Sequence, residues 1–99
     1  MNKAQIDRNS IVCHSGEAVA TEVGGEVVLL HLERDRCHGL GVTGSDLWRR
    51  LRAPVAVADL LTQLEAEYHA EPGEIEADLL RALQEFAAEG LIHLCPPGN

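Results

Sequence analysis

One stretch constrains the fold more than any other: residues 26–51, EVVLLHLERDRCHGLGVTGSDLWRRL. Residues 27–32 are almost continuously apolar and β-branched at their start, the pattern of a central strand flanked on both sides. Glu33-Arg34-Asp35-Arg36 is a charged break of the length a hairpin needs. Residues 36–40 then return as a short, glycine-bearing edge strand. A symmetric turn sets Leu32 opposite Cys37, His31 opposite His38, Leu30 opposite Gly39 and Leu29 opposite Leu40. The chain passes directly from this edge into a helix whose apolar positions are Val42, Leu47, Trp48 and Leu51.

The flanking sequence extends both halves. Residues 18–23 alternate Val19, Thr21 and Val23 against Ala18, Ala20 and Glu22, a half-buried strand pattern. Gly24-Gly25 joins this strand to the next as a two-residue hairpin turn. Downstream, a first helix over 42–52 stops at Pro54, and a second over 57–68 carries Leu60, Leu61 and Leu64. A third helix over 73–89 follows Pro72 and is closed by Gly90. Residues 91–94 form a short apolar tail that pairs with the sheet or packs on it. The expected fold is α+β: a three-stranded antiparallel meander, then a three-helix bundle. Its expected limits are a flexible segment over 1–16, one domain over 17–94 and a tail over 95–99. At 99 residues the domain buries roughly two-thirds of its unfolded surface, enough for a single core.

Charge and cysteine usage exclude several classes. Phosphate contacts dominate nucleic-acid binding, and here eight Lys and Arg stand against sixteen Asp and Glu. The local run Arg34, Arg36, Arg49, Arg50 and Arg52 suits an acidic peptide or protein instead. Cys13, Cys37 and Cys95 are odd in number and lack CxxC spacing, the usage of thiols acting as small hydrophobes in a reducing cytosol. No apolar signal segment or membrane span is present, so the expected location is the cytoplasm.

Two motifs invite chemistry and fail on context. Gly39-Leu40-Gly41-Val42-Thr43-Gly44 matches GxGxxG, but a dinucleotide fingerprint needs a return to a parallel strand, and here Pro54 and another helix follow. Cys13-His14 and Cys37-His38 offer zinc donors without zinc spacing, and His93 and Cys95 lie in the tail, so no metal is expected. No nucleophile comes with a base and an orienting group; an enzyme is not expected, nor a cofactor.

What remains is the edge strand and the third helix. At about 100° per residue, Ile75, Leu79, Leu80, Ala82, Leu83, Phe86 and Ala87 span about 160° of that helix, wider than one core requires. Either this breadth places Leu80, Leu83 and Ala87 inward and Ile75, Leu79, Ala82 and Phe86 toward a neighbour, with Asp78, Glu85 and Glu89 on the outer margin, or the whole stripe is core in a small domain packed on all sides. An open edge beside an apolar helix face captures a peptide as an added strand, pairs with a second copy, or is guarded by its own charges.

The quoted stretch, together with VAVADLLTQLEAEYHAEPGEIEADLLRALQEFAAEGLIHL, resembles the pyrroloquinoline quinone biosynthesis protein D family over about residues 17–94. The resemblance lies in a charged turn before Gly39-Leu40, Leu47-Trp48 on helix one, a spaced leucine pair on helix two and a final Gly90-Leu91-Ile92. Two positions depart from it: the family often has an aromatic pair where Cys37-His38 stand, and usually Asn where Gly41 stands. The resemblance implies a winged-helix-like domain that recognises the leader of a ribosomally made precursor peptide. The leader would add to the third strand at Arg36, Cys37, His38, Gly39 and Leu40 and lie against Ile75, Asp78, Leu79, Ala82 and Phe86. It further implies presentation to a modifying enzyme: a lasso-peptide leader peptidase and cyclase, or the radical S-adenosylmethionine enzyme of a quinone-cofactor pathway. The protein itself is expected to be a monomer or weak homodimer. A winged-helix transcriptional regulator is the rival, but Glu71, Glu74, Glu76, Asp78, Glu85 and Glu89 on or beside the third helix would repel a major groove.

Overall fold

The computed structural model describes residues 6–95. In chain order it contains β1 (Ile11–His14), β2 (Ala18–Val23), β3 (Glu26–His31), β4 (Arg36–Gly39), α1 (Gly41–Arg50), β5 (Val55–Ala56), α2 (Val57–Glu67), α3 (Pro72–Ala88) and β6 (Ile92–Cys95). The strands form two antiparallel sheets, β2-β3-β4 and β5-β1-β6. The meander and the three helices are those expected, and the architecture is α+β. The second sheet was not expected.

Within the meander the β3–β4 register differs from the symmetric expectation. Leu30 pairs with Cys37, Leu29 with His38, His31 with Arg36 and Val28 with Gly39. Residues 32–35 form the loop, with the Asp35 N–H donating to the His31 carbonyl at 3.0 Å. Asp35 adopts φ 54°, a left-handed conformation that aspartate tolerates better than most residues. With this turn in place, β3 ends at His31 and β4 starts at Arg36. Because the shift is by two residues, side chains keep their faces.

β3 is covered on one face only, although its apolar run suggested two. Val27, Leu29 and His31 turn into the core, while Leu30 is 42% and Val23 of β2 62% exposed on the outer face. Helix α1 crosses the inner face, where the buried Ser45 hydroxyl accepts the Val27 N–H at 2.7 Å. The chain enters α1 through Gly41 at φ 71°, a left-handed value that glycine accepts freely and asparagine next best. Trp48 is buried between His14 of β1, stacked at 3.7 Å between ring centroids, and Phe86 of α3, edge-on at 5.9 Å. Val42, expected among the apolar positions of this helix, stands exposed on its first turn.

The second sheet ties the two ends of the domain together. β1 pairs with β5 on one side and with β6 on the other, setting Ile11 opposite Cys95 and Cys13 opposite His93. Cys13 and Cys95 are joined by a disulfide, their Cα atoms 6.6 Å apart. This overturns the reading of these cysteines as independent thiols; Cys37, the free cysteine, is exposed rather than buried. Ile6 and Val12 lie in the hydrophobic core, so the ordered domain starts well before residue 17 and the expected flexible segment does not extend through β1. Cys95, expected in a tail, lies in β6. Residues 1–5 and the Pro96-Pro97-Gly98 ending lie outside the described residues.

In α3, Ile75, Leu79, Leu83 and Phe86 are buried together and Leu80, Ala82 and Ala87 are half-buried against them. The wide stripe thus serves mostly one core, and the expected inward set of Leu80, Leu83 and Ala87 is corrected to one centred on Leu79, Leu83 and Phe86. Gly90 ends the helix at φ 76°, where an added Cβ would come 2.9 Å from Nε2 of the buried His31.

Candidate functional site

β4 forms one edge of the meander, and its backbone is the first component of the site. The Leu40 N–H donates to the Val27 carbonyl at 3.0 Å. By the alternation of an antiparallel ladder, the peptide groups of Arg36, His38 and Leu40 therefore turn toward β3. Those of Cys37 and Gly39 turn away from the sheet. Among the described residues no strand pairs with that side.

Helix α3 meets β4 at its C-terminal end and shares a cleft with α1 in its N-terminal half. At its C-terminal end, Glu89 lies 3.8 Å from both the Arg36 guanidinium and His38 Nε2. The carboxylate oxygen and the imidazole nitrogen are both buried and lack a hydrogen-bond partner among the described residues. Toward the N-terminal half of α3, Ile75, Asp78, Leu79 and Ala82 line a cleft of about 280 Å³. Thr43 and Leu47 of α1 form its facing wall, and Leu64, Tyr68 and Ala70 close the end. An open strand edge is therefore followed, through the β4–α1 connection, by a helix that walls a mainly apolar cleft.

The α1–α2 corner of the cleft is fixed by a polar network. The Tyr68 hydroxyl donates to Asp46 Oδ2 at 3.0 Å, and Arg50 bridges Asp46 at 3.1 Å and Glu67 at 2.6 Å. The hydrogen bond to Asp46, with burial second, holds the Tyr68 phenol above its ordinary range. The Glu67 hydrogen bond likewise raises Arg50, which stays cationic throughout. Arg49 pairs with Glu22 at 3.1 Å, and Arg34 donates to the Ala88 carbonyl. The arginine run is thus largely neutralised by internal partners and is not the free positive patch its sequence clustering suggested.

Of the residues singled out from sequence, Arg36, Cys37, His38 and Gly39 form β4, and Leu40 joins it to α1. Ile75, Asp78, Leu79 and Ala82 line the cleft together. Phe86 does not; it is buried against Trp48, one turn and more beyond the cleft, so its expected outward placement is corrected. Thr43, Leu47, Leu64 and Tyr68 were not singled out. Leu47 and Leu64 read as core from their periodicity, and nothing local reveals that α1 and α2 meet α3 at a cleft.

The remaining motifs are accounted for differently. Residues 39–44 carry the chain from β4 into α1, and Gly44 admits Leu40 so closely that a Cβ there would sit 3.2 Å from the Leu40 Cβ. The helix leads to β5 and α2, not to a parallel strand. Of the Cys-His pairs, His14 stacks on Trp48, while His38 turns inward and Cys37 outward. Among the described residues no helix is long and apolar enough to cross a membrane.

No curated protein matches this sequence. A solved structure described as "TbiB1 in Complex with the TbiA(beta) Leader Peptide" is similar to it, with a TM-score of 0.70 and 29% identity over 88% of this chain and 99% of that one. The family model for Coenzyme PQQ synthesis protein D (PqqD) matches residues 26–92, which run from the start of β3 through the edge strand and all three helices into β6. A match of that extent, with the fold to accompany it, makes this chain a member of the PqqD family.

Proposed function

We propose that this protein binds the leader region of a ribosomally made precursor peptide and presents it to a modifying enzyme, without catalysing a reaction itself. The leader adds antiparallel to β4 and directs apolar side chains into the cleft between α1 and α3. One observation carries the reading: the outward peptide groups of Cys37 and Gly39 have no strand partner among the described residues, and this edge leads through Leu40 into α1, whose Thr43 and Leu47 wall an apolar cleft with Leu79 and Ala82. Main-chain hydrogen bonds would supply affinity and the cleft specificity. Membership of the family, and the leader peptide bound to the similar TbiB1, support the same reading.

For the downstream enzyme we favour the leader peptidase and cyclase of a lasso-peptide pathway. The second reading, service to a radical S-adenosylmethionine enzyme, is supported by the family's description as a coenzyme synthesis protein. A regulator that reads DNA is disfavoured by the carboxylates of α3.

The test is titration of isotope-labelled protein with the leader half of the precursor encoded beside it. Amide shifts should concentrate on residues 36–40, Thr43 and Ala82, with modest salt dependence. Shifts confined to Arg49, Arg50, Arg52 and α2, with residues 36–40 untouched, would overturn strand addition.

A further inference from the structure

The β1–β6 pairing gathers three soft donors that lie far apart in sequence. Cys13 stands directly opposite His93, and Cys95 follows two residues later on the same face of β6. Val12 and Ile92, on the opposite face, are buried in the core, so the three donors project outward. Their sulfur atoms and an imidazole nitrogen all lie within 4.8 Å of one another.

Once the disulfide is reduced, the three donors are close enough together to close on one metal ion. Around a tetrahedral zinc ion, thiolates at about 2.3 Å and an imidazole at about 2.0 Å stand roughly 3.5–3.8 Å apart. We propose that in the reduced chain Cys13, His93 and Cys95 form a Cys2His site for one zinc ion on the outer face of this sheet. Two thiolates balance the charge of the cation, and the neutral imidazole completes three protein ligands. The fourth position opens to solvent, because His93 is exposed and both cysteines only half-buried. The expectation that no metal binds rested on local spacing; an 82-residue separation is bridged here by strand pairing rather than by a short ligand motif. The same sulfurs form the disulfide, so the oxidised chain offers no such site.

Cobalt(II) is the probe, because thiolate ligation gives it a charge-transfer band that zinc displaces. The full chain, reduced and carrying Cys37→Ser to remove the exposed thiol, is titrated with cobalt(II) and then with zinc(II). One cobalt per chain with thiolate charge transfer, bleached by zinc, is the expected result. Cys13→Ser and Cys95→Ser should each abolish the band, and His93→Ala should weaken binding at least tenfold. Far-UV circular dichroism against the reduced parent checks that the variants fold; if a serine variant is unfolded, His93→Ala decides alone. Absence of the band, its persistence in folded Cys13→Ser, unchanged affinity in His93→Ala, or one metal shared by two chains overturns the proposal.

Discussion

The His14 imidazole lies flat on the Trp48 indole, ring centroids 3.7 Å apart and planes 9° from parallel, while its Nε2 donates to the carbonyl of the same tryptophan at 3.1 Å. One residue of β1 is thereby fastened to both the side chain and the backbone of α1. The neutral ring is the form that burial favours: desolvation depresses its pKa, the Trp48 carbonyl opposes this, and the nearby Arg52 charge adds to the depression.

The sign of the resulting pH dependence follows. The unfolded chain takes up a proton near pH 6.5, before the folded chain does. Stability from the neutral ring is full above that value and is lost as pH falls through it toward the depressed folded pKa. The urea midpoint should therefore drop between neutral pH and about pH 5, and His14→Phe, which keeps an aromatic ring, should drop less. Equal pH dependence in parent and variant would remove His14 as the cause.

Gly90 packs against His31 and Arg34 at the end of α3. An alanine there meets a left-handed φ of 76° and a contact 2.9 Å from His31 Nε2. Gly90→Ala should destabilise the fold by about 1–3 kcal/mol, the sum of backbone strain and displacement of a packed ring. A denaturant midpoint within error of the parent would show that His31 can move aside without loss.

The Cys13–Cys95 disulfide closes a loop of 82 residues across the β1–β6 pair. Cross-linking so long a loop removes unfolded-state entropy worth about 4 kcal/mol. Oxidised protein should therefore unfold at clearly higher urea than the same chain under reductant, with an unchanged circular-dichroism spectrum below the transition. Equal midpoints would mean that the bridge does not form in solution.

How far the sequence carried depends on how local each feature is. β4 and its passage into α1 were legible because Glu33-Arg34-Asp35-Arg36 and Gly41 punctuate the chain within a few residues of what they control. The β3–β4 register was not, since it turns on the left-handed Asp35 rather than on apolar pattern. β1 and β6 are four-residue strands whose partners lie at opposite ends of the chain, too short to show a period. Phe86 was misplaced because a wide apolar stripe reveals that a helix is contacted on several sides, not which residue meets which neighbour. Trp48 supplies that neighbour only in three dimensions.

Ala82 offers a way to fill the cleft without disturbing the core. It is half-buried on the cleft wall, whereas Leu79 beside it is 3% exposed and bears on stability as well as on the cleft. Ala82→Leu keeps a good helix former and adds apolar volume where leader side chains would lie. Leader affinity should fall about tenfold or more while the midpoint moves by less than about 1 kcal/mol. Unchanged affinity in the folded variant would place the leader elsewhere.

Proline at adjacent positions of β4 separates the outer edge from the inner ladder. The Gly39 N–H turns away from β3, and an added Cβ at Gly39 meets nothing within 4 Å. Gly39→Pro therefore removes a donor from the free edge, a strand position where proline is tolerated, and asks that residue 39 take the proline φ and that His38 stay extended. At His38 the geometry is reversed: its N–H faces Leu29 across the ladder, so His38→Pro breaks a β3–β4 hydrogen bond. Gly39→Pro should lose at least tenfold in leader affinity with a stability change under about 1 kcal/mol. His38→Pro should lower stability by about 3 kcal/mol and reduce leader binding as the edge itself loosens. Calorimetric titration and urea unfolding of both variants check the pair. If Gly39→Pro binds as the parent does, the leader does not hydrogen-bond to this edge, whatever the cleft contributes.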